Sequence, residues 1–261
     1  MEKTAVVTGA ASGLGLEFSK LLAGDSFNLI LLDIDGPGLL RIKQDLEEKY
    51  SVSIDHIVCD LSKTDCINQL QAKVDHLQVD ILINNAGYGL YGFFTTTDWQ
   101  AEEAMINLHI LNLTHLTKLI LAQMTERRSG RIMNVCSVAA FQPGPLMAVY
   151  YATKAYILSF TEALSNEVKG TGVSVTALCP GLTKTKFQET VALRSGSKKP
   201  GSGYYCSNVE TVAKSGYKAM MAGKSLEVPG LINKALVQAH RFVPRKFALY
   251  FVRKMQEKIR K

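Results

Sequence analysis

The chain is poor in the features that mark a membrane span, a disulfide scaffold or a metal site. Its 261 residues hold no apolar run near the roughly 18 needed to cross a bilayer. Patterned sequence starts almost at Met1, leaving no room for the charged head and apolar core of a secretory signal, so a cytoplasmic protein is expected. The five cysteines (Cys59, Cys66, Cys136, Cys179, Cys206) are odd in number and lack a CxxC. That pattern predicts neither a disulfide framework nor a zinc site, and points to a reducing compartment. The five histidines (His56, His76, His109, His115, His240) show no metal-ligand spacing and read as structural, with no metal expected. The single tryptophan, Trp99, reads as a packing residue. No linker composition or repeat interrupts the chain, which predicts one domain over residues 1–261.

Acidic residues are scarce in one region only. Residues 231–261 carry nine Lys/Arg and one acid, Glu257, while the rest of the chain carries 21 basic and 22 acidic groups. The net charge of +7 therefore belongs to a basic C-terminal extension over 230–261, and gives no reason to expect a nucleic-acid partner. After Pro244, Phe247, Phe251, Met255 and Ile259 recur every four residues among Lys and Arg. This stripe is expected to dock on the domain or on a second subunit; peripheral contact with an anionic membrane is the less favoured reading.

What is present is a strand–helix alternation. Short apolar runs at 4–8, 27–33, 54–60, 79–85, 130–137 and 172–180 have the length of strands buried on both faces, with a short last strand at "KSLEV". Between them, apolar residues three and four apart predict helices, including one from Ile106 to Met124 and one from about Val149 to Val168. The expected fold is a single-domain α/β, doubly wound, mainly parallel seven-stranded sheet with helices on both faces. Residues 183–226 read as a substrate loop and helix, with "SGSKKPGSGYY" as a mobile part.

"TGAASGLG", Thr8 to Gly15, closes the first strand and opens the first helix. Gly9, Gly13 and Gly15 permit a tight turn and close approach of a diphosphate to the helix N-terminus, with Ser12 and Leu14 in the same loop. Their spacing is GxxxGxG, not the standard GxGxxG. Asp33 lies 18 residues past Gly15, near the spacing at which an acid takes adenosine ribose hydroxyls. A carboxylate there repels a 2′-phosphate. With Ile34 beside it and Ser12 in the glycine loop, no basic residue welcomes one, so NAD is expected over NADP.

The run "AVYYATKAY", Ala148 to Tyr156, crowds three tyrosines around Lys154. Tyr150 and Tyr151, four and three residues before the lysine, both share its helical face, and spacing alone does not choose between them. Ser137 ends a strand 13 residues before Tyr150, with no His–Asp set of the kind a serine hydrolase needs.

In order and spacing, "TGAASGLG", "DL" at 60–61, "NNAG" at 84–87, Asn107 in "MINLHILN", "NVCS" ending at Ser137, "YYATK" at 150–154 and "PGLTKT" at 180–185 resemble the short-chain dehydrogenase/reductase family. The resemblance covers about residues 4–230. Its YxxxK pattern picks Tyr150 as the acid/base, leaving Tyr151 and Tyr156 as packing or cleft-lining rings. It further implies that Lys154 binds the nicotinamide ribose and acidifies the phenol, that Ser137 holds the substrate oxygen, and that Asn107 positions a water linking Lys154 to solvent. Asp60 and Leu61 would frame the adenine. Asn85, Ala86 and Gly87 would lie beside the cofactor, and Pro180, Gly181 and Thr183 would reach its carboxamide or diphosphate. Cys136 replaces the first serine of the family pattern and reads as inert. The implied activity is NAD-dependent hydride transfer on a hydrophobic secondary alcohol or ketone by a homodimer or homotetramer. The alternatives are an NADPH-dependent reductase of the same family and a non-catalytic dinucleotide-sensing or scaffold protein. Loops carrying Tyr88, Leu90, Phe93, Phe94, Phe141, Leu146, Met147, Phe187, Tyr204 and Tyr205 are expected to form an apolar pocket with few charges, near the pair Lys198 and Lys199.

Overall fold

The computed structural model describes residues 3–196, 206–239 and 242–260. The expected positions of Lys198, Lys199, Tyr204, Tyr205 and His240 lie outside these. Seven strands form the sheet: β1 (Lys3–Thr8), β2 (Phe27–Asp33), β3 (Ile54–Val58), β4 (Val79–Asn84), β5 (Gly130–Val135), β6 (Val173–Leu178) and β7 (Leu226–Glu227). Their order is β3-β2-β1-β4-β5-β6-β7, and every neighbouring pair is parallel. The apolar runs are continuous because successive residues enter opposite layers. Ala5 and Val7 pack in one core cluster and Val6 in the other; Leu29 and Leu31 oppose Ile30 and Leu32 in the same way.

Helices α1 (Gly13–Gly24), α2 (Gly36–Lys49) and α8 (Val209–Met221) cover the first layer, contributing Phe18, Leu39 and Met220. Helices α3 (Thr64–Val74) and α5 (Leu113–Glu126) cover the second, with Leu70 and Ile120. Each such side chain, fully removed from water, contributes about 1.5–3 kcal/mol. Helix α6 (Ala148–Glu167) follows β5 through a short 3₁₀ turn at Val138–Phe141. A buried chain of polar side chains crosses the sheet: Asn84 Nδ2 donates to Asn134 Oδ1 at 2.8 Å, and Asn134 Nδ2 donates to Thr161 Oγ1 at 2.9 Å.

Several expectations need correction. The predicted helix from Ile106 to Met124 is interrupted. Helix α4 (Trp99–Ile106) runs into a π-helical turn, Asn107–Asn112, before α5. The wider turn buries His109 and Asn112, whose Nδ2 donates to Leu61 O at 2.7 Å. The irregular stretch after 183 contains helix α7 (Phe187–Ser195), which buries Val191 and Ala192. Trp99 is 59% exposed at the start of α4 and is not a packing residue. Tyr156 faces outward, its hydroxyl 2.9 Å from Thr114 Oγ1. Cys59 and Cys66 are joined as a disulfide, against the expectation of unpaired thiols. The end of β3 and the first turn of α3 bring their Cα atoms to 5.5 Å, an approach that a cysteine count does not register.

The C-terminal extension forms α9 (Leu231–Ala239) and α10 (Arg245–Arg260). Helix α10 docks on the domain, but not by the predicted stripe. Ala248, Val252 and Gln256 are buried, while Phe247 and Phe251 are 60% and 66% exposed.

Candidate active site

Strand order reverses between β1 and β4, and the crevice beyond the strand ends at such a point is where open α/β sheets take ligands. Here it opens into a cleft of about 1070 Å³. The loops after β1, β2, β3, β4, β5 and β6 all reach it, and α7, α9 and α10 wall its far side.

The glycine loop is shaped by crowding. Gly9 has φ of +66°, and a Cβ there would meet Ala86 Cα at 2.8 Å. A Cβ at Gly15 would lie 2.0 Å from Gly9 O, so Gly15 supports the loop from behind and does not reach the cleft wall. Gly9, Ser12, Gly13 and Leu14 do reach it. Asn85 braces the same loop, its Nδ2 donating to Thr8 O at 2.9 Å and Gly9 O at 3.0 Å. The Asp33 carboxylate accepts from Ala11 N at 2.9 Å and from Asp35 N at 3.1 Å, which points it along the cleft next to exposed Ile34. Asp60 and Leu61 line the cleft after β3, with Asp60 Oδ1 accepting from Ser62 N. Ala86 and Gly87 line it after β4.

Ser137 lies just past β5, half-buried at the start of the 3₁₀ turn, and its Oγ accepts from Ala139 N at 3.1 Å. Tyr150 and Lys154 occupy the first two turns of α6, and both are buried on the cleft wall. Lys154 Nζ lies 5.9 Å from the centre of the Tyr150 ring and donates to Val135 O at 3.0 Å. Burial lowers the proton affinity of this ammonium below the ordinary lysine range. Tyr151, the alternative phenol, accepts from Gln256 Nε2 at 2.9 Å and ties α6 to α10.

Asn107 is the one expected catalytic residue that does not line the cleft. It starts the π turn, and its neighbour Leu108 reaches the wall instead. Two residues on, His109 is fully buried between Tyr88 and Tyr150, at ring-centre distances of 6.3 and 6.2 Å. Burial first, then the Lys154 charge, holds its imidazole well below the usual histidine range, so it is neutral. Thr153 Oγ1 donates to Tyr150 O at 2.8 Å, so it accepts from His109 Nδ1 at 2.9 Å, leaving Nε2 a buried acceptor without a partner among the described residues. An isolated histidine in an apolar helix pattern carries no sequence signal for this position.

After β6, Pro180, Gly181 and Thr183 line the cleft. Thr183 Oγ1 donates to Gly181 O at 3.0 Å, and Thr183 forms a parallel β-bridge with Ser207. Asn233 of α9 packs onto Gly181, where a Cβ would come within 2.5 Å of its Oδ1. Behind Ser137, Cys136 is buried and its thiol donates to Lys154 O at 3.0 Å. Contact with Cys136 and burial push the adjacent Cys179 thiol well up, so it stays protonated.

Of the apolar residues expected in the pocket, Tyr88, Phe141, Met147 and Phe187 line the cleft, whereas Phe93 and Phe94 are exposed outside it. The wall also holds Arg194, whose guanidinium stacks 4.1 Å from the Tyr88 ring centre, and Ile232, Leu236, Val252 and Gln256 from α9 and α10. Arg194 falls in the expected substrate segment 183–226, whereas the residues of α9 and α10 were not marked by the sequence, because the approach of these two helices is set by tertiary packing.

Residues 3–195 match the family model described as short chain dehydrogenase. The chain belongs to the short-chain dehydrogenase family. An uncharacterized oxidoreductase of Staphylococcus epidermidis is 35% identical over 190 residues, spanning 72% of this chain and 81% of the relative. The mouse very-long-chain 3-oxoacyl-CoA reductase is 31% identical over 188 residues, spanning 70% of this chain and 60% of that protein. Among solved structures, the bulky-bulky ketone specific alcohol dehydrogenase of Comamonas testosteroni superposes with a TM-score of 0.79 at 25% identity, covering 92% of each chain. The short-chain dehydrogenase match ends with α7, so α8 and the two helices that complete the cleft, α9 and α10, lie beyond it.

Proposed function

We propose that this short-chain dehydrogenase moves a hydride between NAD and a hydrophobic secondary alcohol or ketone, with the Tyr150 hydroxyl exchanging the proton on the substrate oxygen. The observation that carries this reading is the buried Lys154 ammonium beside the Tyr150 ring, on the wall of a cleft at the sheet's reversal point that also holds Ser137.

The cleft fits a dinucleotide. A glycine turn opens α1, where free N–H groups favour a diphosphate. Asp33 stands where ribose hydroxyls are taken, and Asp60 and Leu61 would flank the adenine. Ala86, Gly87, Pro180, Gly181 and Thr183 would hold the nicotinamide half. The bound cofactor would supply the hydride acceptor or donor. The protein does the remainder. A cation beside a phenol favours its ionised form, so Tyr150 Oη can take a proton from an alcohol and return it to a carbonyl. Ser137 Oγ would hold the substrate oxygen, and the buried wall would exclude water. Asn107 is assigned a supporting role from the π turn, through water and not by direct contact.

The absence of a basic residue at Ile34 or Ser12 supports NAD over NADP. An apolar wall built from α7, α9 and α10 supports a bulky or long apolar substrate, in keeping with the ketone specificity and the acyl-CoA reductase activity named for two similar proteins. The test is fluorescence titration with NADH and NADPH, followed by a panel of apolar alcohols and ketones read at the reduced-nicotinamide absorbance. Tighter binding of NADPH would overturn the cofactor preference. A panel without turnover would revive the scaffold reading, and turnover unchanged in Tyr150→Phe would overturn the role given to Tyr150.

A further inference from the structure

Helix α10 carries two apolar stripes, and the domain covers only one. Ala248, Val252 and Gln256 face the cleft cluster, while Phe247 and Phe251, one residue round the helix, stand 60% and 66% exposed. Phe242 and, on α9, Leu231 and Leu236 are exposed as well, at 86%, 84% and 63%. Isolated exposed apolar residues are ordinary, but Phe247 and Phe251, one turn apart on a single helix face and flanked by exposed basic residues, mark a contact surface. The charge here has one sign. Arg245, Lys246 and Lys258 are exposed and have no acidic partner among the described residues. The one acid on α10, Glu257, is already held by Arg253 at 3.0 Å and Lys254 at 3.9 Å.

From this surface we infer that α9 and α10 form a docking face for an anionic phospholipid bilayer. A second copy of the chain is a poor occupant, since two-fold pairing of this face would set the basic residues of one copy against those of the other. A bilayer with acidic headgroups offers negative charge and apolar depth together, which suits phenylalanines projecting among lysines and arginines. No helix among the described residues is long and apolar enough to cross a membrane, so the contact is with the surface. Leu236 and Phe251 belong both to this face and to the cleft wall. Docking therefore turns the cleft mouth toward lipid.

The test is co-sedimentation of the full chain with phosphatidylcholine vesicles, with and without phosphatidylglycerol. Wild type should sediment only with the phosphatidylglycerol vesicles and be released by salt. Two double variants, Phe242→Ser/Phe247→Ser and Arg245→Glu/Lys246→Glu, change residues outside the cleft wall. Each should weaken association at least about tenfold, since one basic group near an acidic surface strengthens binding about fivefold. Their melting temperature and NADH titration should match wild type. No association of wild type, or equal association of both variants, overturns the inference. So does a wild-type dimer in sedimentation velocity that Phe242→Ser/Phe247→Ser dissolves, which would assign the face to a second copy. No readout depends on turnover, so this inference and the oxidoreductase reading fail separately.

Discussion

At the scale of single residues, the proposed chemistry rests on a lysine kept in an unfavourable place. Burial disfavours the Lys154 ammonium, so its proton is lost at a lower pH than from a free lysine, whose value is 10.5. The folded state binds this proton more weakly than the unfolded state, so the Lys154 contribution to stability rises with pH up to about 10.5. Thermal scans of wild type and Lys154→Met across pH should therefore shift in favour of wild type as pH rises. Activity should fall on the alkaline side before the free-lysine value is reached, as a pH–rate profile would read. Tyr150→Phe should lower kcat by about 10²–10⁴ while leaving cofactor affinity unchanged, measured by steady-state kinetics and NADH titration. Asp33→Ser should narrow the preference for NADH over NADPH in the same titration, because the carboxylate that repels a 2′-phosphate is gone. Lys154 and Asp33 were legible from local motif spacing, whereas Tyr150 was chosen over Tyr151 by the family resemblance, since both phenols share the lysine's helical face. His109 was not legible, since its burial comes from a π turn that periodicity cannot distinguish from a regular helix.

Elements position these residues by close approach. Gly87 allows His109 to pack behind Tyr150: a Cβ there would lie 2.7 Å from Nε2. Gly87→Ala should cost about 1–3 kcal/mol in denaturant unfolding, since rings on both sides hold the imidazole in place. Helix α8 is tied to the end of α1 by the Tyr217 hydroxyl, which donates to Asp25 Oδ2 at 2.6 Å. Burial and Asp25 push this phenol well up, so it stays neutral at any ordinary pH. All seven strands and helices α1, α2, α3, α6 and α8 follow the apolar pattern of the chain. Helix α7 does not, because its amphipathic signal is weak and a Gly/Ser/Lys segment follows it. What makes it a helix is the packing of Phe187 and Val191 beside the cleft.

For the whole molecule, the decisive event is the packing of α10 against the candidate active site. Val252 joins the cluster that contains Tyr88, Met147, Tyr150 and Tyr151, and Gln256 bonds the Tyr151 hydroxyl. Removal of residues 244–261 would uncover that cluster. The truncated protein should melt at a lower temperature and show a raised KM for apolar substrates, with the NADH dissociation constant unchanged because the proposed diphosphate site is built by the glycine loop before α1 and not by α10. An unchanged KM would mean that α10 takes no part in substrate binding.

By itself the sequence determined the α/β class, the strand positions, the glycine turn and the pairing of a tyrosine with a lysine one helical turn on. All of these are local, written in runs of a few residues by apolar period and turn chemistry. Only the tertiary structure decided which stripe of α10 docks, how Cys59 meets Cys66, where His109 is buried and which helices close the cleft. Those outcomes depend on surfaces distant along the chain competing to be buried, and no window of sequence contains both competitors.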